Sequence, residues 1–170
     1  IKLSYLHKLT VRRYVRMKKI QWKNLITAVA IPLGVGGLSA LLTKKAMDSF
    51  EMLNQPPLSP PTWLFPVVWT ILYILMGIAS YLVATSNQKN DTPLTLYGIQ
   101  LCFNFLWTLI FFNMGWYLFA FVWLVALWIL ILLTTIAFYR ISKPSAYMMI
   151  PYLIWVTFAG YLNYGIYLLN

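Results

Sequence analysis

The sequence predicts an all-α membrane protein: a bundle of five transmembrane helices with a long, proline-rich first loop. Three observations carry this. The chain of 170 residues is 61% hydrophobic and only 9% charged, whereas soluble domains carry about 25% charged residues, so too few polar groups exist to cover a water-facing surface. The charges are segregated, with no Asp, Glu, Lys or Arg from Met52 to Gln88, from Thr92 to Tyr139, or from Pro144 to Asn170. Those runs are continuously apolar rather than alternating, which favours helices over a barrel.

The first element is a basic arm, residues 1–24. Eight of the thirteen Lys and Arg lie before residue 24, and Lys8, Arg12, Arg16, Lys19 and Lys23 follow one another three or four residues apart. That spacing gathers them on one helical face, which suits an orientation signal lying on anionic lipid. No nucleic-acid-binding fold surrounds the arm, so no nucleic-acid partner is expected. Met17-Lys-Lys-Ile reads as a bacterial start, so residues 1–16 are either a native extension or an added segment.

The membrane domain is residues 25–170. Its spans are expected at about Leu25–Leu42, Trp63–Ala84, Leu94–Phe112, Trp116–Phe138 and Ala146–Leu169, each near the ~20 residues that cross ~30 Å of hydrocarbon. Polar or proline-bearing breaks separate the later spans: residues 87–93, 113–115 and 140–144. The first loop, about Thr43 to Thr62, is long for a compact bundle and suits a lid. The N-terminal side of the bundle holds the arm, Lys89, Arg140 and Lys143, against only Lys44 and Lys45 opposite. By the positive-inside rule the N-terminus faces the cytoplasm and the C-terminus the outside, in a bacterial-type plasma membrane. Small residues in the first span (Gly34, Gly36, Gly37, Ser39, Ala40) permit close helix approach, within the chain or in a dimer.

Proline stiffens the first loop through Pro56, Pro57, Pro60 and Pro61, and Trp63 opens the second span. Proline fixes φ and lacks an N–H, so this run is neither helix nor central strand. Pro66 falls in the first turn of the span, where its missing N–H matters little.

Within the spans the sequence offers no ionisable carboxylate, amine or imidazole. His7 lies in the arm and Asp48, Glu51 and Asp91 lie in or beside loops. A proton-coupled antiporter and a retinal Schiff base therefore lack their residues, and no metal site is expected; Cys102 stands alone. Aromatic and neutral polar residues are present instead. Gln100, Asn104 and Trp107 share a face of the third span, Trp155, Ala159 and Asn163 a face of the fifth, and Trp69 and Tyr73 a face of the second. Such stripes can simply pack, since polar side chains in lipid seek each other across helices, Asn104 with Asn163 for example. They can equally line an apolar cavity. Trp69 and Trp155 would then stack a flat ligand, Asn104 and Trp107 would supply hydrogen bonds, and Ala159 and Gly160 would leave room.

Four segments in register resemble the translocator protein family (TspO/MBR, the tryptophan-rich sensory proteins and peripheral benzodiazepine receptors). They are Gln55 to Tyr73, Gln100 to Trp107, Met114-Gly-Trp116, and Pro151 to Asn163, within a resemblance spanning roughly residues 25–170. It implies homodimers and an intramembrane pocket for porphyrins, isoquinoline carboxamides and benzodiazepines. The matching positions are Trp69, Asn104, Trp107, Trp155, Phe158, Ala159 and Asn163, beneath a lid of Pro57, Leu58, Pro60 and Pro61. The expected function is a receptor or transport-type protein that takes porphyrin or haem as a ligand, with no covalently bound cofactor, and serves tetrapyrrole transport or stress and light sensing. Two alternatives stay open. One is light-dependent porphyrin breakdown, with Trp69 and Trp155 as electron donors; the other is a regulatory subunit of a membrane complex. Leu58 stands where the family often has Trp, Ala120 where animal members often carry an acid, and no basic residue completes a cholesterol motif after Tyr164.

Overall fold

The computed structural model describes residues 20–86 and 90–170, without the side chains of residues 47–49. Most of the basic arm (residues 1–19), Lys89 and the Asp48 side chain lie outside the described residues. The chain forms α1 (Trp22–Glu51), α2 (Leu64–Ala84), α3 (Thr92–Thr108, continued by a π-helical turn Leu109–Asn113), α4 (Tyr117–Tyr139) and α5 (Lys143–Leu169). All five are long and apolar enough to cross a membrane, and there is no strand among the described residues. The protein is an integral, multi-pass membrane protein.

Local chemistry explains the ends. Pro93 and Pro144 sit in the first turns of α3 and α5, where an N–H has no helical partner to lose. Pro32 and Pro151 lie inside α1 and α5, as membrane helices tolerate when neighbours stabilise the freed backbone. The first loop is shorter than expected. Residues 43–51 continue α1, leaving residues 52–63 as the connection. Lys44, Lys45, Ala46, Met47 and Glu51 are good helix formers; their charge ends the apolar stretch without ending the helix. The helix ends only at Glu51, a few residues before Asn54 and Pro56.

The helices close a ring. α1 packs on α2, α2 on α5, α5 on α4, α4 on α3, and α3 with its π turn returns to α1. Short connections lead one to expect α2 beside α3, yet these two touch only slightly: α1 stands between them on one side of the ring, and α5 fills the place between α2 and α4 on the other. The buried residues of α5, from Ser145 through Tyr152 and Val156 to Asn163 and Ile166, cover a face broad enough for both α2 and α4. α1 is the peripheral helix, with Ile26, Ile31, Leu38 and Leu41 exposed to the surroundings. In lipid, hydroxyls need internal acceptors. Those of Thr27, Ser39, Thr70, Thr108, Thr134 and Thr157 each donate to the carbonyl four residues back, a self-contained solution.

The proline loop is tied to the C-terminal end of α5. The Tyr161 hydroxyl donates to the Pro57 carbonyl at 2.6 Å, and the Asn54 N–H donates to Asn170 Oδ1 at 2.9 Å. Gly165 is the seat for Pro56: a Cβ at this position would lie 2.6 Å from the Pro56 ring. The Ser59 N–H closes a turn onto the Pro56 carbonyl at 3.2 Å, with Leu58 at φ 68°. Proline at the second turn position and a left-handed third residue define a type II turn, which usually takes glycine there.

Candidate ligand site

Side chains from α2, α3 and α5 meet in the half of the bundle beneath the proline loop. Asn104 is the hub. It is fully buried, its Oδ1 accepts from the Tyr73 hydroxyl at 2.8 Å, and its Nδ2 donates to the Tyr152 hydroxyl at 3.0 Å. One amide thus cross-links three helices. Gly36 of α1 lies directly against the Tyr73 ring, so a larger residue there would push Tyr73 off the hub. The small-residue patch divides accordingly: Gly36 packs within the chain, while Gly34 and Gly37 have open space around them.

A second polar join lies nearer the loop. The Trp107 indole N–H donates to Asn163 Oδ1 at 3.2 Å, and Asn163 Nδ2 donates to the Tyr117 carbonyl at 2.7 Å. The two asparagines therefore serve separate partners instead of each other. Asn104 and Trp107, the sequence's candidates for hydrogen bonds to a ligand, both use their polar groups within the protein.

Aromatic rings line the α2–α5 seam between these joins and the loop. Trp69 contacts Tyr73 at 5.6 Å, Tyr152 at 6.0 Å and Trp107 at 6.3 Å between centroids. One turn nearer the loop, Phe65 meets Trp155 edge-on at 6.0 Å, and Trp155 meets Phe158 at 5.6 Å. Offset and edge-on geometries such as these are the favoured ones for ring pairs. Phe50 closes the top against Phe65, Phe111 and Phe112. Ala159 is buried at the seam. Gly160 instead turns toward Phe121 and Leu124 of α4. There it lines a separate groove of about 380 Å³, with Trp128, Val156 and Tyr164 among its walls.

One fully buried polar atom in the aromatic cluster has no partner. Trp107, Trp123 and Trp128 each donate their indole N–H to an oxygen. The N–H of Trp155 is buried without a hydrogen-bond partner. A buried donor without an acceptor costs about 1–3 kcal/mol, so this position favours any occupant that brings an oxygen or a basic nitrogen.

The eight site residues named from sequence lie on α2, α3 and α5: hydrogen bonds and ring contacts connect seven of them into one cluster, Ala159 is buried on α5, and Pro57 of the lid is tied to α5 through Tyr161. Leu58 is 82% exposed and points its bulk outward. Sequence reasoning missed Tyr152 and Phe65. Tyr152 extends the Trp155, Ala159, Asn163 stripe by one turn and could have been found that way. The π turn after α3 carried no readable signal; it sets Phe111 against Trp107 at 5.5 Å and lets Asn113 Nδ2 donate to the Leu42 carbonyl at 3.2 Å.

Fold and site together define a five-span membrane protein whose α2 to α5 contain aromatic and amide side chains but no Asp or Glu. The TspO/MBR family model matches residues 28–169, and the chain belongs to that family. It is 42% identical over 156 residues to the tryptophan-rich protein TspO of Chlorobaculum tepidum, covering 90% of this chain and 98% of that relative. It is 34% identical over 151 residues to the tryptophan-rich sensory protein of Cereibacter sphaeroides, covering 89% and 94%. With the translocator protein of Bos taurus it shares 33% identity over 151 residues, 84% and 88% of the two chains.

Proposed function

We propose that this protein binds porphyrins, haem or similar flat hydrophobic ligands in the aromatic seam of α2, α3 and α5, and acts in tetrapyrrole transport or in sensing. The observation that carries the reading is the unpartnered indole N–H of Trp155, buried beside Phe65 and Phe158. A tetrapyrrole would present a wide π face to Trp69 and Trp155, and a carboxylate or carbonyl oxygen to that N–H. Tyr73, Asn104, Trp107 and Asn163 hold the walls, while Ala159 limits the depth available. The lid of Pro57, Leu58, Pro60 and Pro61 lies over the same end, fastened through Tyr161 and Gly165. Relatives named as sensory and translocator proteins agree with a ligand-responsive membrane role.

The same reading includes a homodimer in a bacterial plasma membrane with the N-terminus inside. Arg140 lies between α4 and α5 and Lys143 opens α5, at the end of the bundle where α1 begins, as the positive-inside rule requires for that orientation. Titration of the detergent-solubilised protein with protoporphyrin, followed by tryptophan fluorescence, tests the binding. Saturable quenching at micromolar ligand is expected; its absence would refute the reading.

A further inference from the structure

The hub layer has a counterpart deeper in the bundle. α3 and α5 run in the same direction, and α2 runs against them. Seven residues make two helical turns, about 10 Å of rise. Moving that distance away from the proline loop takes Tyr73 to Ser80, Asn104 to Tyr97 and Tyr152 to Ser145. Because Tyr73, Asn104 and Tyr152 are hydrogen-bonded at one level, Ser80, Tyr97 and Ser145 share a second level on the same three inward faces. Gln100 lies between the two levels. All four are buried, Gln100 and Ser145 completely.

This layer differs from the hub in one respect: several of its polar atoms lack a well-formed hydrogen bond. Ser145 Oγ and Gln100 Oε1 have no hydrogen-bond partner in the protein, and the Tyr97 hydroxyl faces Ser80 without closing a well-formed hydrogen bond. Gln100 Nε2 reaches only the weak acceptor Met76 Sδ, at 3.8 Å. Ser80 Oγ donates to the Gly77 carbonyl at 2.9 Å, and its lone pairs remain free to accept. The Phe138 ring of α4 packs against Tyr97 at 6.1 Å and closes that side.

We propose that this inner layer is a water-binding site, holding one ordered water or a file of two. The groups present are complementary to water. Tyr97 and Ser145 supply two O–H donors; Gln100 Oε1 and Ser80 Oγ supply two acceptors. Buried waters characteristically make two to four such bonds to groups that are otherwise unsatisfied. The location also allows entry, since Ser80, Tyr97 and Ser145 all lie near the ends of their helices remote from the proline loop. The neighbours Met76 and Met149 are fully buried, so this layer is the nearest source of water for them. The inference does not depend on what the aromatic seam binds.

X-ray radiolytic footprinting of the intact protein tests it, because radicals formed from bound water oxidise adjacent sulfur. Met76 and Met149 should be oxidised at rates comparable to Met52, which is 87% exposed. Unmodified Met76 and Met149 alongside reactive Met52 and Met114 would overturn the proposal. Ser145→Ala, and separately Tyr97→Phe with Ser145→Ala, should lower Met76 and Met149 labelling several-fold while leaving Met52 unchanged. Labelling that persists unaltered in both variants would also overturn the assignment of the water to this layer. Protoporphyrin quenching measured on the same samples reports on the other site independently.

Discussion

The half of the bundle under the proline loop and the half beyond Asn104 are built from the same three helix faces. They resolve their polar groups in different ways. Near the loop, amides and hydroxyls pair across helices, through Asn104 with Tyr73 and Tyr152, and through Asn163 with Trp107 and the Tyr117 carbonyl. The Trp155 N–H in that cluster is fully buried without a partner. Further in, on the same faces, Gln100 Oε1 and Ser145 Oγ have no protein partner and the Tyr97 hydroxyl closes no well-formed hydrogen bond. In hydrocarbon, where an unsatisfied group is expensive, the first arrangement builds rigid walls around one donor. The second builds a cluster complementary to a small polar guest. Position along the helix decides which chemistry a stripe of polar residues performs.

Breaking the hub should have the largest effect. Asn104→Leu leaves the Tyr73 and Tyr152 hydroxyls buried and unpaired, at about 1–3 kcal/mol each. Thermal unfolding in detergent should show a marked loss of stability, or no folded protein. A near-neutral result would mean the three helices hold their register without it.

Next comes the fastening of the loop. Gly165→Ala drives a methyl into the rigid Pro56 ring, and overpacking typically costs about 1–3 kcal/mol. Limited proteolysis within residues 52–63 should accelerate while the helices stay intact. Ala159→Leu is of similar size but falls on the ligand. It should lower protoporphyrin affinity more than the unfolding midpoint. The reverse order would make Ala159 a packing residue only.

These expectations separate what could be read from the sequence from what could not. The spans were legible because hydropathy alone decides whether a segment dissolves in lipid. The C-terminal end of α1 was not. Lys44, Lys45 and Glu51 suggested a loop, but charge stops insertion rather than helix formation, and the helix runs on to Glu51. The stripes of Trp69, Asn104, Trp107, Trp155 and Asn163 were legible from spacing of three or four residues. Their pairings were not, because spacing along one helix says nothing of which neighbour lies opposite. With α5 inserted between α2 and α4, Asn104 meets Tyr152 instead of Asn163. Which donor remains free is a three-dimensional outcome, and no pattern in the chain marks Trp155 over Trp107.

Smaller effects sharpen the contrast between donor and wall. Trp155→Phe keeps a ring but removes the unpaired N–H. Ligand affinity should weaken by about 0.5–1.5 kcal/mol, the worth of one hydrogen bond, while stability holds or rises slightly. If the protein also degrades porphyrin in light, Trp69→Phe and Trp155→Phe should depress turnover far more than binding, since indole is the better electron donor. Illuminated incubation with product chromatography reads this directly. The smallest change is expected from Leu58→Gly. Relief of the left-handed conformation, about 1–2 kcal/mol, is largely offset by the added chain entropy of glycine, about 0.5–1 kcal/mol. The unfolding midpoint should rise slightly or stay put.

The central claim, that Trp155 is the unpaired donor of the ligand site, is tested most directly by NMR of indole-¹⁵N-labelled protein during a protoporphyrin titration. The Trp155 N–H resonance should shift with ligand and saturate with binding, while the Trp107 N–H, already bonded to Asn163, stays nearly fixed. A Trp155 signal that does not move at ligand saturation would contradict the account.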